Sequence, residues 1–449
     1  MRNKTFLPKV VSSIFVCSLL TSCAVALAHN SKKAESSIQL KESEVVEKKI
    51  NLSYPVNGEE TSILKPSVMH YINDMHAQAR NIEDDYVLHD FYITGVAPNN
   101  HGEVYNNETD VLRIADYWNS SLNEEKSKKV ALVFDAVGFE EETEFKVIYG
   151  MKQDLSDGVE ITTNNSFVTI SNLLANQTYY WKVTSGNTQS EVQSFKTQEG
   201  FRMISAGGVT NVRDMGGRPV KGGKHIKQGL IFRGGELVRE TYTVDGSTHS
   251  QTLYDNNIGI LQDDIAIKYE IDLRGDAESN NITQSDLKDE NHDDVDYLRI
   301  PNLRAYDYFF TSSATTGEHK ELIKQMFLAF KDAQNKHVYF HCWGGADRTG
   351  TVGFLLGGLL GMSYTDLIID YELTSFSCNY RPHNVNDPNK VYRFPALIYQ
   401  MKNATNLVSG EKYWTATKPI SQIIEEMLID RIGLTSQDIV DIKANLLED

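Results

Sequence analysis

The stretch His341-Cys342-Trp343-Gly344-Gly345-Ala346-Asp347-Arg348-Thr349-Gly350 places a cysteine and an arginine in one glycine-rich run, with five residues between them. Residues 337–340 (His-Val-Tyr-Phe) are typical of a short buried strand, and the apolar residues 348–361 predict a helix. A strand, a loop and a helix N-terminus in this order form an anion cradle, because backbone N–H groups and the positive end of the helix dipole converge there. We therefore expect a phosphate to bind over this loop.

Cys342 and Arg348 supply the chemistry that such a loop needs. The helix dipole lowers the pKa of a thiol below its free value of about 8.5, so that Cys342 is a candidate thiolate nucleophile at neutral pH. The planar guanidinium of Arg348 can bind two phosphate oxygens at once, and Thr349 can donate a hydrogen bond to the sulfur. A lone cysteine at a strand end is more often a small buried hydrophobe, but the arginine spacing and the glycines favour the functional interpretation.

Several segments, taken together, resemble a known family. The run at 341–350 resembles the signature of the bacterial tyrosine phosphatases of the Cys-x5-Arg, dual-specificity-like type. Residues 210–217 (Thr-Asn-Val-Arg-Asp-Met-Gly-Gly) resemble that family's opening motif, and residues 230–237, 271–274 and 370–375 resemble later ones in the family's order. The resemblance covers about residues 200 to 449 and implies an α/β phosphatase domain with Cys342 as nucleophile and Arg348 as phosphate clamp. The loop positions that would contact substrate are then Trp343, Gly344, Gly345, Ala346, Thr349 and Gly350.

The position before the loop aspartate departs from the family pattern. Family members commonly carry lysine there, whereas this chain has Ala346. Loss of that positive charge disfavours substrates with several phosphates, so phosphotyrosine becomes the expected substrate and phosphoinositides or small phosphate esters the alternative. The formal net charge of -17 agrees in direction, because an acidic surface repels polyanions, and nucleic acid is not an expected partner.

An acid must protonate the leaving oxygen when Cys342 attacks a phosphate monoester. The resemblance points to Asp347 as this acid. Asp347 could instead cap the following helix, and the two roles are compatible. Asp272, at the end of its predicted strand, and then Asp276 and Glu278 are alternative acids. The mechanism requires no metal or cofactor, and His341 is expected to support the loop by hydrogen bonding rather than to bind a metal.

The N-terminus predicts export. Three basic residues precede an apolar stretch at 10–20, as in a bacterial signal peptide over residues 1–22. Residues 20–23 (Leu-Thr-Ser-Cys) resemble a lipobox, in which Cys23 would be lipidated and anchor the protein to the membrane. Residues 26–28 (Ala-Leu-Ala) offer a competing site for ordinary cleavage and secretion. Either route takes the protein out of the cytoplasm.

Of the four cysteines, Cys342 and Cys378 remain in the folded body if Cys17 is removed with the signal and Cys23 is the anchor. A reversible Cys342–Cys378 disulfide is a minor hypothesis beside a buried, inert Cys378.

The region between the N-terminus and the predicted phosphatase domain (199–449) has a β pattern. Residues 30–49 are polar and charged, without aromatic residues, and predict a flexible tether within residues 23–50. In residues 51–198, the segments 129–134, 144–149, 167–170, 179–183 and 192–195 alternate as short strands. Residues 174–183 resemble the corner and strand of a fibronectin type III-like module, which implies a small β-sandwich. Residues 59–124 fit that module poorly and predict an insertion, with a helix near 68–80.

The sequence therefore predicts a multidomain chain in which an α/β cysteine-dependent phosphatase domain follows a small β-sandwich. The expected activity is hydrolysis of phosphate monoesters, with a phosphorylated protein or a small phosphate ester as substrate. A rival interpretation is a surface protein whose phosphatase domain binds phosphate without turnover, although the presence of Cys342, Asp347 and Arg348 together disfavours it.

Overall fold

The computed structural model describes residues 46–88 except 81 and 83, residues 104–105, residues 125–304 except 245 and 281, and residues 316–377 and 391–449. The chain divides into two compact units, Met1–Val46 and Glu47–Asp449. The predicted signal peptide, Cys23, Cys378 and most of the predicted tether lie outside the described residues. No described helix is both long enough and apolar enough to cross a membrane.

The second unit has a mixed α/β arrangement with several sheets. Its strands are β1 Lys49–Tyr54, β2 Glu59–Thr61, β3 Val104–Tyr105, β4 Val130–Val137, β5 Phe145–Gly150, β6 Val159–Thr163, β7 Phe167–Ile170, β8 Thr178–Ser185, β9 Thr188–Gln189, β10 Gln193–Thr197, β11 Arg202–Met203, β12 Arg213–Asp214, β13 His225–Ile226, β14 Ile231–Gly234, β15 Tyr242–Val244, β16 Ser247–His249, β17 Tyr269–Asp272, β18 Asp296–Arg299, β19 Val338–His341, β20 Val391–Tyr392 and β21 Leu447–Glu448. Its α-helices are α1 Pro66–Ala79, α2 Asp255–Gly259, α3 Asp276–Ser279, α4 Gly317–Lys331, α5 Ala333–Lys336, α6 Asp347–Leu360, α7 Tyr364–Glu372, α8 Arg393–Asn403, α9 Ile420–Met427 and α10 Ser436–Leu446.

Two sheets occupy the first half of this unit. One has the order β1-β4-β7, and the other has the order β2-β10-β8-β5-β6 with β9 paired to β8. Inward residues of both sheets share one apolar core that includes Phe134, Val147 and Trp181, because alternate residues of a strand point to the same face. The strands predicted near 129–134, 144–149, 167–170, 179–183 and 192–195 are all present.

The second half is built on a sheet of order β11-β12-β14-β19-β17-β18. Strands β14, β19, β17 and β18 run parallel, so their carboxyl ends meet at one edge. Strand β19 lies between β14 and β17, and the Cys342 loop follows it directly. This places the loop at the edge of a parallel sheet, where ligands of open α/β sheets bind.

Helix α1 belongs to the hydrophobic core of the second half. Its buried residues Val68, Tyr71, Ile72 and Met75 lie in the same apolar cluster as residues of α4, α6 and α7. Its His76 Nε2 also lies 2.7 Å from Asp366 Oδ1 on α7. A helix near 68–80 was predicted, but as part of an insertion in the first half.

Direct hydrogen bonds also join the two halves. The Ser205 amide donates to Asn172 Oδ1 over 2.7 Å, and Asn172 Nδ2 donates to the Ser205 carbonyl over 3.2 Å. The Gln228 side chain bonds both the amide and the carbonyl of Ala175, each over 2.8 Å. The β-sheet region and the α/β region are therefore packed as parts of one unit.

The helices predicted around the loop are confirmed. Helix α6 ends before a left-handed Gly361, as the pattern over 348–361 predicts. Thr435 and Asp438 form a capping box at the start of α10.

Candidate active site

The Cys342 loop connects the central strand β19 to helix α6. Cys342 is only 3% exposed, and α6 begins at Asp347, so residues 342–346 lie at the N-terminal end of the helix. The amide groups in the first turn of a helix lack intrahelical acceptors and favour an anion there. The structure therefore has the strand, loop and helix order that the sequence predicted.

The fold of the loop depends on Gly345, whose φ of +66° lies in the left-handed region. A Cβ atom at this position would lie 2.4 Å from the carbonyl carbon and oxygen of Gly234. Asn211 Nδ2 donates to the carbonyls of Gly344 and Gly345 over 3.1 and 3.0 Å. Arg233 Nη2 donates to the Gly345 carbonyl over 3.0 Å. Side chains from β14 and from the segment before β12 therefore hold the loop in this conformation through its carbonyl groups.

Asp370 on α7 joins these supports. Its Oδ1 lies 3.0 Å from both Arg213 Nε and Arg218 Nη2, and its Oδ2 contacts Arg233 Nη1. Burial raises the pKa of this carboxyl, but the three guanidinium groups outweigh burial and hold the pKa well below its ordinary value. Arg213 also donates to the Asn211 side chain. We call this buried set the ionic floor; it comprises Asn211, Arg213, Arg218, Arg233 and Asp370.

The Cys342 thiol has a lowered pKa. Burial raises the pKa, but the positive charge of Arg348 and the hydroxyl and amide of Thr349 outweigh burial. The Thr349 hydroxyl is buried, and among the described residues it has no hydrogen-bond partner at an ordinary distance. We interpret its effect on the thiol as a loose contact that a thiolate would shorten. The net result favours the nucleophilic form.

Arg348 is held by Glu278 of helix α3. Its Nη2 donates to Glu278 Oε1 over 2.7 Å, its Nη1 donates to Glu278 Oε2, and Nη1 also donates to the Leu273 carbonyl over 3.0 Å. Burial raises the pKa of the Glu278 carboxyl, but the hydrogen bonds and the positive charge of Arg348 outweigh burial, so the pKa lies below its ordinary value. The contact makes Glu278 an orienting partner of the guanidinium.

The carboxylates proposed as acids lie in different surroundings. Asp347 is half-buried at the start of α6, close enough to Cys342 for its charge to oppose the lowering of the thiol pKa. Asp272 is fully buried and binds Arg274 Nη2 over 2.8 Å and the Tyr297 hydroxyl over 2.9 Å. Burial raises the pKa of Asp272, but Arg274 outweighs it, so the pKa lies well below the ordinary value.

This environment does not favour Asp272 as a proton donor, because a buried carboxylate bound by an arginine is harder to protonate than one in ordinary surroundings. Asp276 lies at the surface and binds Arg299 and Asn302. Among the carboxylates considered from the sequence, Asp347 is the one that starts helix α6 and whose charge acts on the Cys342 thiol.

His341 supports the loop from β19, as predicted. Its Nε2 lies 2.9 Å from Glu270 Oε1, and its Nδ1 lies 3.2 Å from the Cys342 carbonyl. Burial lowers the pKa of His341, but Asp272 and Glu270 outweigh it and raise the pKa above the ordinary value. In the described part of the chain, no group of three or more His, Cys, Asp or Glu residues is arranged to hold a metal ion.

The remaining predicted loop positions differ in exposure and packing. Ala346 is buried, Trp343 is half-exposed, and Gly350 packs so close to Tyr371 that an added Cβ would lie 2.6 Å from its ring. Sequence reasoning assigned no role to Asn211, Arg213, Arg233 or Asp370, although all lie in segments that carry the family resemblance. It also missed His249, whose ring meets Trp343 of the loop, and Tyr242, which stacks on His249; both lie on a hairpin that no quoted motif contains.

A comparison with protein-family models matches residues 204–448 to a model described as "Tyrosine phosphatase family". No curated protein matches the chain in the corresponding search. The matched residues include the ionic floor, the Cys342 loop and Glu278.

Proposed function

Because the chain belongs to the tyrosine phosphatase family through residues 204–448, we propose that it is an exported protein-tyrosine phosphatase that acts through a phosphocysteine intermediate. The observation that carries the proposal is the position of Cys342 between β19 and the N-terminal end of α6, with Arg348 of that helix held by Glu278; this arrangement lowers the pKa of the thiol. A thiolate at a site that favours anions has the nucleophile and the phosphate clamp that the reaction requires.

In the first step, the Cys342 sulfur attacks phosphorus, an S–P bond forms and the P–O ester bond breaks. Asp347 gives its proton to the leaving oxygen. In the second step, a water oxygen attacks phosphorus, its proton passes to the Asp347 carboxylate, and the S–P bond breaks to release phosphate and the thiolate. Arg348, oriented by Glu278, takes up negative charge on the phosphoryl oxygens in both steps.

The experiment is phosphate release by the full-length chain from three substrates in parallel: a phosphotyrosine peptide, a phosphoserine peptide and a phosphoinositide. We expect preference for phosphotyrosine, with turnover abolished in Cys342→Ser while substrate binding remains. Preference for the phosphoinositide would overturn the substrate class. Equal turnover by Cys342→Ser would end the covalent mechanism, and binding without turnover by the wild type would favour a phosphate-recognition module.

The acid role of Asp347 has its own test. Replacing Asp347 with Asn should slow hydrolysis of poor leaving groups more than that of activated aryl phosphates, because an activated leaving group needs no proton. Equal losses on both classes would remove Asp347 from this role.

We also propose that residues 51–198 include a fibronectin type III-like β-sandwich. The supporting contact is at its corner, where the Leu174 amide donates to the Tyr179 hydroxyl over 2.9 Å, as in the tyrosine corner of such modules. An experimental structure in which β1-β4-β7 and the second sheet do not pack face to face would contradict this.

Export with lipidation at Cys23 is the third part of the proposal, and it rests on the sequence alone. In cells that express the full-length chain, Cys23→Ala should move the protein from the membrane fraction to the soluble exported fraction. Unchanged membrane association would argue against the lipid anchor, and retention of the wild type in the cytoplasm would argue against export.

A further inference from the structure

Three aromatic rings contact one another in a row beside the Cys342 loop. Tyr242 and His249 come from the hairpin of β15 and β16; their rings are 4.7 Å apart and 3° from parallel. His249 meets Trp343 edge to face, with ring centroids 6.3 Å apart. Trp343 directly follows the nucleophile and is 51% exposed, whereas His249 is 4% exposed. We call this set, Tyr242, His249 and Trp343, the aromatic rim.

Charged hydrogen bonds hold the rim against the loop. His249 Nδ1 lies 3.0 Å from both Glu236 carboxylate oxygens, and the Glu236 amide donates to the Trp343 carbonyl over 2.9 Å. Arg274 Nη1 donates to Glu236 Oε2 and to the Tyr242 hydroxyl, each over 3.0 Å. The Tyr242 and His249 rings and the Trp343 backbone are therefore held in place before any substrate arrives, which lowers the entropic cost of binding.

The far end of the rim reaches the phosphate clamp. The Tyr242 hydroxyl donates to the Glu278 carbonyl over 3.2 Å, and the Glu278 carboxylate binds Arg348. The aromatic rim therefore extends from Trp343, next to the nucleophile, to Glu278, which orients the Arg348 guanidinium. The exposed indole at the outer end of the rim belongs to the residue that directly follows the nucleophile.

We propose that the aromatic rim is the specificity wall that receives the ring of an aryl phosphate monoester, with the Trp343 indole as its contact face. This inference rests on the proposed function and narrows its substrate class to phosphotyrosine. Aromatic rings gain from stacked or edge-to-face contact, and an indole offers the largest face of any side chain. The methylene group of phosphoserine and the polar ring of an inositol phosphate have no π face to match it.

The test compares two substitutions at one position in the full-length chain. Trp343→Leu removes the ring and keeps an apolar side chain, whereas Trp343→Phe keeps an aromatic ring. The measured quantity is the ratio of kcat/KM for a phosphotyrosine peptide to kcat/KM for the phosphoserine peptide of the same sequence. We expect Trp343→Leu to lower this ratio about three- to tenfold and Trp343→Phe to retain most of it.

A ratio that stays at the wild-type value in Trp343→Leu would overturn the inference, as would equal losses in Trp343→Leu and Trp343→Phe. Binding of both peptides to Cys342→Ser, with and without Trp343→Leu, gives a second readout that needs no turnover. If the wild type turns over phosphotyrosine and the ratio does not respond, only the rim assignment fails. If the wild type releases no phosphate and Cys342→Ser binds neither peptide, the proposed function fails with it.

Discussion

The ionic floor and the aromatic rim support the same loop with opposite physical means. The floor is fully buried, and its charges have several partners each: Asp370 alone binds Arg213, Arg218 and Arg233. The rim is partly open, and its outermost ring is half-exposed. Breaking a buried ion network leaves uncompensated charge, whereas trimming an exposed ring removes a contact. Changes in the floor should therefore affect folding, and changes in the rim should affect selectivity.

The largest effect is expected from Asp370→Asn. This change removes the negative charge that compensates three buried guanidinium groups, and breaking such a network costs about 3–5 kcal/mol. We expect the free energy of unfolding in urea to fall by that order, with phosphate release falling in parallel. Asp294→Asn is the matched control: its carboxylate binds Lys268 at the surface and is 60% exposed, so the change should cost less than about 1 kcal/mol.

An unfolding curve for Asp370→Asn that overlays the wild type would contradict the distinction between floor and rim. The same would hold if Asp294→Asn were the more damaging of the two substitutions.

The loop and its Trp343 were predicted from the sequence, whereas the floor residues, Tyr242 and His249 were given no role. The cysteine and arginine spacing, the glycines and the apolar helix after them predict the order of strand, loop and helix, because all of these signals lie close together in the chain. Asn211, Arg213, Arg233 and Asp370 lie in segments whose resemblance to the family was evident. What joins them is a set of contacts between residues more than 100 positions apart, such as Arg233 with Asp370, and no local pattern reports such a contact.

Helix α1 illustrates the same limit. Its residues predicted a helix, and an amphipathic pattern indicates that one face is buried. The pattern does not say against which neighbour, and the structure places Tyr71 and Met75 in the core of the α/β region. Glu278 is a similar case: as a carboxylate near the site it was a candidate acid, and only the contact with Arg348 identifies its role.

Glu278 contacts both the phosphate clamp Arg348 and the rim residue Tyr242, and the next largest effect is expected there. Glu278→Ala removes the two carboxylate oxygens that accept hydrogen bonds from Arg348 and leaves the Leu273 carbonyl. We expect kcat/KM to fall about tenfold, since hydrogen bonds to charged groups contribute about 1.5–3 kcal/mol. Glu278→Gln keeps one oxygen acceptor, so its kcat/KM should lie between that of Glu278→Ala and that of the wild type. The loss should be the same for good and poor leaving groups.

That last comparison separates the two roles of Glu278. A loss concentrated on poor leaving groups would identify Glu278 as the acid and reject the orienting role.

A smaller effect, visible only against pH, is expected from Thr349→Val. Thr349 helps to lower the pKa of the Cys342 thiol, so its loss should raise that pKa. Below the pKa less thiolate is then present, so kcat/KM should fall at acidic pH and approach the wild-type value as the pH rises. The rate of alkylation by iodoacetamide should shift in the same direction, because only the thiolate reacts.

Thr351→Val is the matched control, since the Thr351 hydroxyl donates to the Asp347 carbonyl over 2.9 Å. If the fall of kcat/KM at acidic pH shifted equally in both variants, the effect would not come from the contact of Thr349 with the sulfur.

The smallest effect is expected at the inner end of the rim, in Tyr242→Phe. The change keeps the ring stacked on His249 and removes the hydroxyl that meets Arg274 and the Glu278 carbonyl. We expect the free energy of unfolding to fall by about 1 kcal/mol, the usual net value of a hydrogen bond, while the ratio of phosphotyrosine to phosphoserine kcat/KM stays within about twofold. In Tyr242→Leu the ring is also lost, and the ratio should fall as in Trp343→Leu. If Tyr242→Phe lowered the ratio as much as Tyr242→Leu, selectivity would depend on the hydrogen bonds that orient Arg348 rather than on stacked rings, and the functional distinction between rim and clamp would disappear.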